Sequence, residues 1–182
     1  MLDLFDGWKG LMDKESIAAS VYSYTMYYFS KSLFHAYVEG EVENRLLYSD
    51  NYLMHNVNIR LLESAAKDGN TSHFNPICRN GYPDYSGKNH CSYNLAKSFI
   101  DAKNFLEANM SAKHTDWKWG NLIVRDYKNL PWSMTALKPI FHRETSTAGN
   151  ANTLDVSRYT HMKNVNNTIF HQSHGATYKQ IV

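Results

Sequence analysis

The residues best suited to chemistry in this sequence are nine histidines, two cysteines and one charged tripeptide. His171 and His174 are three residues apart, so a helix would bring both imidazoles to one face, where they could share a metal ion. The residues around them, ending in Gly175, favour a loop instead. Since no cysteine or carboxylate is close to the pair in the sequence, we predict no metal site on this chain.

The charged tripeptide is His142-Arg143-Glu144, which follows an apolar approach. Arginine binds planar anions through two parallel hydrogen bonds, so this segment could receive a carboxylate. The alternative, which we favour, is an intramolecular ion pair that anchors a loop. The sequence has no glycine-rich phosphate loop, no Gly-x-Ser-x-Gly elbow and no His-Glu-x-x-His. We therefore assign no catalytic residue, and the substrate-binding residues stay unknown.

Cys78 and Cys91 lie in a turn-rich segment. Their spacing matches neither Cys-x-x-Cys nor a zinc knuckle, which favours a disulfide, although two reduced thiols remain the alternative. A disulfide is typical of secreted or lumenal proteins. The acidic N-terminus does not resemble a signal peptide, so a secreted protein would need a signal upstream. Sequons for N-glycosylation, which add little because the chain is rich in asparagine, occur at Asn70, Asn109 and Asn166.

The composition is that of a folded domain. With 182 residues, 43% of them hydrophobic and 14% aromatic, the chain can bury a core and is unlike a disordered segment. The net charge of +2 and the lack of a basic stripe argue against nucleic-acid binding. No apolar run is long enough to span a membrane.

Apolar spacing predicts three helices in residues 13–116. The first runs from Ser16 to Val38 behind an Asp13 cap, and apolar residues on two of its faces indicate packing on two sides. The second runs from about Asn51 to Ala66. The third begins at a Ser92 cap and ends near Met110.

Helical spacing fades in residues 117–182, which we predict to be loops and strands. Leu122–Val124 fits either a helix start or a buried strand, and Asn129–Pro139 is turn-like. Alternation predicts strands at Thr153–Ser157 and Thr177–Val182. Because the last strand stops in mid-pattern, we expect further residues beyond it. We treat 1–182 as a single domain.

Four motifs carry a family resemblance across nearly the whole chain. These are Asp6-Gly7 with Met12-Asp13-x-x-Ser16-x-Ala18-Ala19, then Trp117-Lys118-Trp119-Gly120, then Phe141 to Val156, and finally Gly175 to Val182. Their order and spacing resemble the C-terminal part of the large subunit of the penicillin amidase (penicillin acylase) family.

The resemblance implies an N-terminal nucleophile hydrolase, a fold with an αββα sandwich. This chain would be an α+β part of that sandwich, with helices plus terminal strands, incomplete on its own. In such enzymes a serine at the start of the large subunit attacks an amide, and its own α-amino group is the base. The nucleophile, the oxyanion asparagine and the calcium ligands of the family would lie upstream of the matched segment. No cofactor is therefore expected on this chain, although calcium could bind the full-length protein.

Two positions qualify the resemblance. Ser16 matches a helix start rather than the nucleophile, and Ile123 stands where the family often has histidine. Our first hypothesis is a C-terminal fragment or subunit of an amidohydrolase that cleaves linear amides. Its partners would be the upstream large-subunit segment and the small subunit. Unpaired strand edges would make the isolated chain poorly soluble or dependent on a partner.

Two other hypotheses remain open. The chain could be a catalytically inactive structural or binding component of a larger assembly that kept the fold. It could also be an unrelated small helical domain, in which case Thr153–Ser157 and Thr177–Val182 would not belong to a sheet.

Overall fold

The computed structural model describes residues 2–34, 51–68, 78, 90–159 and 170–175. Within them the chain forms five α-helices and one four-stranded sheet. The helices are α1 (Ile17–Phe34), α2 (Asn51–Asp68), α3 (His90–Asn109), α4 (Trp119–Leu122) and α5 (Lys138–Phe141), and the strands are β1 (Ile123–Lys128), β2 (His142–Ser146), β3 (Ser157–Tyr159) and β4 (Phe170–Gly175). The predicted α+β class is confirmed.

Helix α1 begins one turn later than its predicted cap. Ser16 Oγ accepts a hydrogen bond from the Ala19 backbone N–H at 3.1 Å, so Ser16 is the N-cap. Asp13 instead accepts from the Glu15 N–H at 2.9 Å and stabilises the turn before the helix. The prediction of Asp13 as the cap was wrong because both residue types cap helices and the sequence offers them three residues apart.

Helix α1 is the centre of the core, as its two apolar faces predicted. It packs mainly against α3 and also against α2 and α4. Val21 and Tyr24 join Ala102, Leu106 and the tryptophans of the later chain in one cluster. Phe29 and Leu33, two turns further on, form a second cluster with Leu61 and the two cysteines.

The other two long helices were found with shifted ends. Helix α2 extends to Asp68, two residues beyond the prediction. Helix α3 already begins at His90, so Ser92 lies inside it and the prediction of Ser92 as a cap was wrong. Leu95, Ala102 and Leu106 supply the helical spacing that revealed α3, and Ala102 and Leu106 are fully buried.

The sheet has the strand order β2-β1-β4-β3. Strand β1 is antiparallel to β2 and parallel to β4, and β3 is antiparallel to β4. Phe170 and Ile123 are paired in the two central strands, are fully buried and face α1, where the Phe170 ring centroid lies 5.3 Å from that of Tyr24. The sheet excludes a purely helical domain.

Several predictions for residues 117–182 need correction. Leu122–Val124 is both a helix end and a strand start, since α4 ends at Leu122 and β1 begins at Ile123. The strand predicted at Thr153–Ser157 begins only at Ser157, because residues 151–155 form a turn in which Leu154 is fully exposed. The loop predicted around His171 is strand β4. The strand predicted at Thr177–Val182 lies outside the described residues.

The described helices include none with the length and hydropathy needed to cross a bilayer. The predicted disulfide is present. Cys78 and Cys91 are both buried, with their Cα atoms 5.0 Å apart, and the bond between them ties residue 78 to the first turn of α3.

Candidate functional site

The Trp-x-Trp-Gly motif is the main structural junction of the chain. Trp117 and Trp119 are both fully buried. The indole N–H of Trp117 donates to the Ser111 carbonyl at 2.8 Å, and that of Trp119 donates to the Gly149 carbonyl at 3.0 Å. Each large ring is thus buried with its one polar atom satisfied, as indole burial requires.

Two glycines let distant backbone segments meet at this junction. The Gly120 N–H donates to the Lys14 carbonyl at 2.8 Å, and the Gly149 N–H donates to the Met12 carbonyl at 2.7 Å. A Cβ at position 120 would lie 2.9 Å from Lys14 Cβ. Gly149 has φ +85°, a conformation that side chains disfavour. Trp119, Gly120 and Gly149 therefore hold distant backbone segments of the fold together.

A cluster of charged side chains lies on the outer face of β1 and β2, opposite the face that packs on α1. Asp126 is paired with Glu144 and Lys128 with His142, and alternation puts all four side chains on one face. Strand β4 adds His171, since His171 is paired with Val124 of β1. We call these five residues the strand cluster.

Within the strand cluster, two histidines and one lysine lie close to the two carboxylates. His142 Nε2 lies 3.4 Å from Glu144 Oε1 and 3.9 Å from Asp126 Oδ1. Asp126 Oδ2 contacts His171 Nδ1 at 3.2 Å and Lys128 Nζ at 3.6 Å. Two carboxylates directly opposite each other on neighbouring strands repel, so the cluster needs positive charge between them.

Three atoms of the strand cluster are buried without a hydrogen-bond partner among the described residues. They are Asp126 Oδ1 and both ring nitrogens of His142. The His142 side chain is 11% exposed and that of Asp126 is 15% exposed. Buried polar atoms are nearly always hydrogen-bonded or bound to a ligand, so this exception needs an explanation.

An open cleft of about 350 Å³ borders the cluster. It is lined by Lys138 and Pro139 of α5 together with His142 and Glu144. Asp126, His142 and Glu144 are also the group of described residues whose metal-binding atoms lie within 4.8 Å of one another. The strand cluster is thus the place in the described chain where a cation or a small polar ligand has donors and access together.

The charged tripeptide is divided between the two faces of β2. His142 and Glu144 make intramolecular ion-pair contacts, in the sense of the interpretation that we favoured, and lie in the strand cluster. Arg143 is exposed and alternation points it to the opposite face. The tripeptide therefore does not act as one carboxylate-binding unit.

The other residues singled out from the sequence are placed as follows. Ile123 is fully buried in the main core cluster. Asn109 is exposed at the end of α3, where its side-chain N–H donates to the Phe105 carbonyl at 2.8 Å. Asn70 and Asn166 lie outside the described residues, as does the side chain of His174.

Asp126 and Lys128 are the cluster members that sequence reasoning missed, and His171 was considered there only as a partner of His174. A signal for Asp126 was present, because polar side chains recur at a period of two in Asp126-x-Lys128 and again in His142-x-Glu144. Only the register of β1 against β2 and β4 reveals that these pairs meet.

Among the described residues, the largest pKa shifts lie in α1, away from the strand cluster. Burial raises the pKa of Tyr22 to about 12. Burial, followed by the nearby phenols of Tyr159 and Tyr28, also raises the pKa of Tyr24 well above its usual range. These tyrosines remain neutral and belong to the aromatic core, where the Tyr24 and Phe105 ring centroids are 4.6 Å apart.

Comparison with known proteins gives one match. A family model described as penicillin amidase matches residues 1–182, the whole chain. No curated protein and no solved structure is significantly similar to the chain.

Proposed function

This chain belongs to the penicillin amidase family, and from that premise we propose that it is the C-terminal part of the large subunit of an amidohydrolase. Its role is to complete the sandwich that holds the catalytic serine, which another segment or chain supplies. The match over residues 1–182 supports an amidohydrolase-like function, and the order of the motifs in the sequence supports the placement in the C-terminal part. The same proposal includes calcium as an ion that could bind the full-length protein outside this chain.

Three serines of the described helices have structural roles. Ser30 and Ser98 donate their hydroxyl protons to the carbonyls of Met26 and Asn94, one turn back in their own helices. Ser32 donates to the Phe29 carbonyl at 2.8 Å. A hydroxyl that donates its proton to a carbonyl of its own helix is engaged locally, so we assign these three serines a structural role, in keeping with a nucleophile elsewhere.

An exposed apolar segment supports a polypeptide partner. Residues 130–141, which connect β1 to β2, expose several large apolar side chains. Those exposed by more than a third are Leu130, Trp132, Met134, Leu137, Ile140 and Phe141. Single exposed apolar residues are ordinary, but a group of this size in one short segment is typical of a binding surface. We assign this segment to contact with the remainder of the amidase.

The proposal is tested by purifying the protein from its native source through a tag on this chain. We expect a co-purifying segment whose N-terminal residue is serine, hydrolysis of simple phenylacetyl amides, and labelling of that serine by a sulfonyl fluoride. A single species with no serine-initiated segment and no amidase activity would refute the proposal.

A pair of variants tests the contact surface. Met134, 82% exposed, lies in the apolar segment, whereas Leu154, fully exposed, lies outside it. Met134→Asp should weaken co-purification and activity together, and Leu154→Asp should change neither. If both variants reduce association equally, the segment is not the contact.

The second candidate is a structural component that kept the fold and lost the chemistry. Ile123 favours it, because this residue stands in the buried core where the family resemblance has a histidine. Amidase activity of the assembly purified through this chain separates the candidates, since a component that has lost the chemistry predicts none.

A further inference from the structure

We propose that the strand cluster binds a divalent transition-metal ion of the Zn²⁺ class through Asp126, His142 and Glu144. This site is independent of the amidase proposal, because its donors are all on this chain and none is assigned to amide hydrolysis. The observation behind it is a set of three donor atoms held within 4.8 Å of one another by strand register.

The donor distances fit a small tetrahedral ion. Zinc bonds of about 2.0–2.2 Å to nitrogen and oxygen place the ligands of a tetrahedral site roughly 3.3–3.6 Å apart. His142 Nε2 is 3.4 Å from Glu144 Oε1 and 3.9 Å from Asp126 Oδ1. The distance between the two carboxylates is at most 4.8 Å, so a bound ion requires the carboxylate side chains to rotate inward.

Buried atoms without hydrogen-bond partners also support a bound cation at the strand cluster. Asp126 Oδ1 and His142 Nε2 are buried, lack hydrogen-bond partners among the described residues, and are two of the proposed donors. A cation between them satisfies both atoms. It also neutralises Asp126 and Glu144, which the register of β1 and β2 places directly opposite each other.

The surroundings resemble those of a metal ligand. The second oxygen of Asp126 contacts His171 Nδ1 at 3.2 Å, which fixes the orientation of the carboxylate as outer-shell partners do in metal sites. The cleft beside Lys138 and Pro139 gives access from solvent and leaves a fourth position for water or an anion.

The donor set distinguishes this ion from calcium. Calcium takes six to eight oxygen ligands and avoids nitrogen, whereas one of the three donors here is an imidazole. A carboxylate–imidazole set with few ligands suits zinc and its transition-metal neighbours. The site is therefore distinct in chemistry from a calcium site elsewhere in the full protein.

The test is metal titration of the purified full chain, with its natural partner if one co-purifies. Zn²⁺ affinity is measured by competition with a chromophoric chelator, and Co²⁺ replaces Zn²⁺ to report coordination through its visible spectrum. We expect a single equivalent of Zn²⁺, an intense four-coordinate Co²⁺ spectrum, and no competition from millimolar Ca²⁺.

Variants identify the ligands. Glu144→Gln removes a ligand from a side chain that is 54% exposed, so folding is preserved. It and His142→Gln should each lower Zn²⁺ affinity at least 10-fold. His171→Ala should lower it about 10–100-fold through the lost outer-shell contact. The matched control is His114→Gln. His114 Nε2 lies 3.7 Å from Glu107 Oε1, so this is a similar histidine–glutamate pair, but it lies outside the strand cluster.

Three outcomes would overturn the proposal. They are a folded chain that binds no Zn²⁺, a Glu144→Gln variant that binds it as tightly as the wild type, and a His114→Gln variant that loses as much affinity as Glu144→Gln. Equal competition by Ca²⁺ would overturn the assignment to the Zn²⁺ class. If His142→Gln fails to fold, Glu144→Gln alone decides the question.

Discussion

Replacing Gly149 by alanine should destabilise the protein far more than the same change at Gly10. Both glycines have positive φ, +85° and +77°. A Cβ at position 10 would meet nothing within 4 Å. A Cβ at position 149 would overlap the Asp155 carbonyl oxygen and lie 3.0 Å from its carbon. Comparing the two variants therefore separates two contributions to the free energy of unfolding. One is the cost of a positive φ for alanine, which both share, and the other is the clash with Asp155, which only Gly149→Ala has.

The expected magnitudes follow from these two terms. The left-handed conformation costs alanine about 1–2 kcal/mol at either position. At Gly149 the overlap forces the backbone near Asp155 to move, which adds about 1–3 kcal/mol, as overpacking does. The shift also disturbs the bonds from Trp119 to the Gly149 carbonyl and from Gly149 to the Met12 carbonyl.

The assay is urea denaturation followed by tryptophan fluorescence, with free energies of unfolding obtained by linear extrapolation. The entropy that alanine removes from the unfolded chain is similar in both variants, so it cancels in their difference. Gly149→Ala should unfold at a clearly lower urea concentration than Gly10→Ala. Equal midpoints would refute the claim that close backbone approach at Gly149 holds the junction together.

Three further predictions use the same measurement. Replacing Cys78 and Cys91 by alanine should lower the free energy of unfolding by about 3 kcal/mol, as expected for a short closed loop; a reductant should then destabilise the wild type and leave the variant unchanged. Trp119→Phe should cost about 1–3 kcal/mol because the Gly149 carbonyl loses its donor, and a wild-type midpoint would contradict this. Because burial raises the pKa of Tyr22 from 10.0 to about 12, the neutral phenol stabilises the fold fully below pH 10, and this contribution is lost as pH rises to 12. Tyr22→Phe should flatten that part of the pH profile, and an unchanged slope would count against it.

The sequence was sufficient for the long helices because each has regular apolar spacing on at least one face. Helix α1 is the clearest case, and its burial on two sides agrees with apolar residues on two faces. Its start was misplaced because Asp13 and Ser16 are both good caps. That ambiguity is local, and only the bond from Ala19 to Ser16 resolves it.

The strands were harder to predict because their stability comes from neighbours rather than from their own composition. Strand β4 contains two histidines, glutamine and serine, and its one large apolar residue, Phe170, is fully buried against α1 and the other strands. Strand β2 is polar along its whole length, so it lacks the alternation of apolar residues that predicts a strand, and the sequence showed only its charged tripeptide. Strand pairing is a long-range property that local alternation does not capture.

The strand cluster shows the same limit for function. His142 and Glu144 were visible as a charged pair, but Asp126 and His171 belong with them only through the pairing of three strands. The fold family, in contrast, was accessible from sequence because it depends on the order of short motifs such as Trp117-x-Trp119-Gly120.

The backbone hydrogen bonds at the Trp-x-Trp-Gly junction can form only late in the synthesis of the chain. The carbonyls of Met12 and Lys14 emerge from the ribosome early, but their partners Gly149 and Gly120 follow more than a hundred residues later. At about 5–20 residues per second, the wait is on the order of ten seconds. During that interval α1 can form as a helix while its apolar faces stay uncovered, so the nascent chain is the stage at which a chaperone has most to protect.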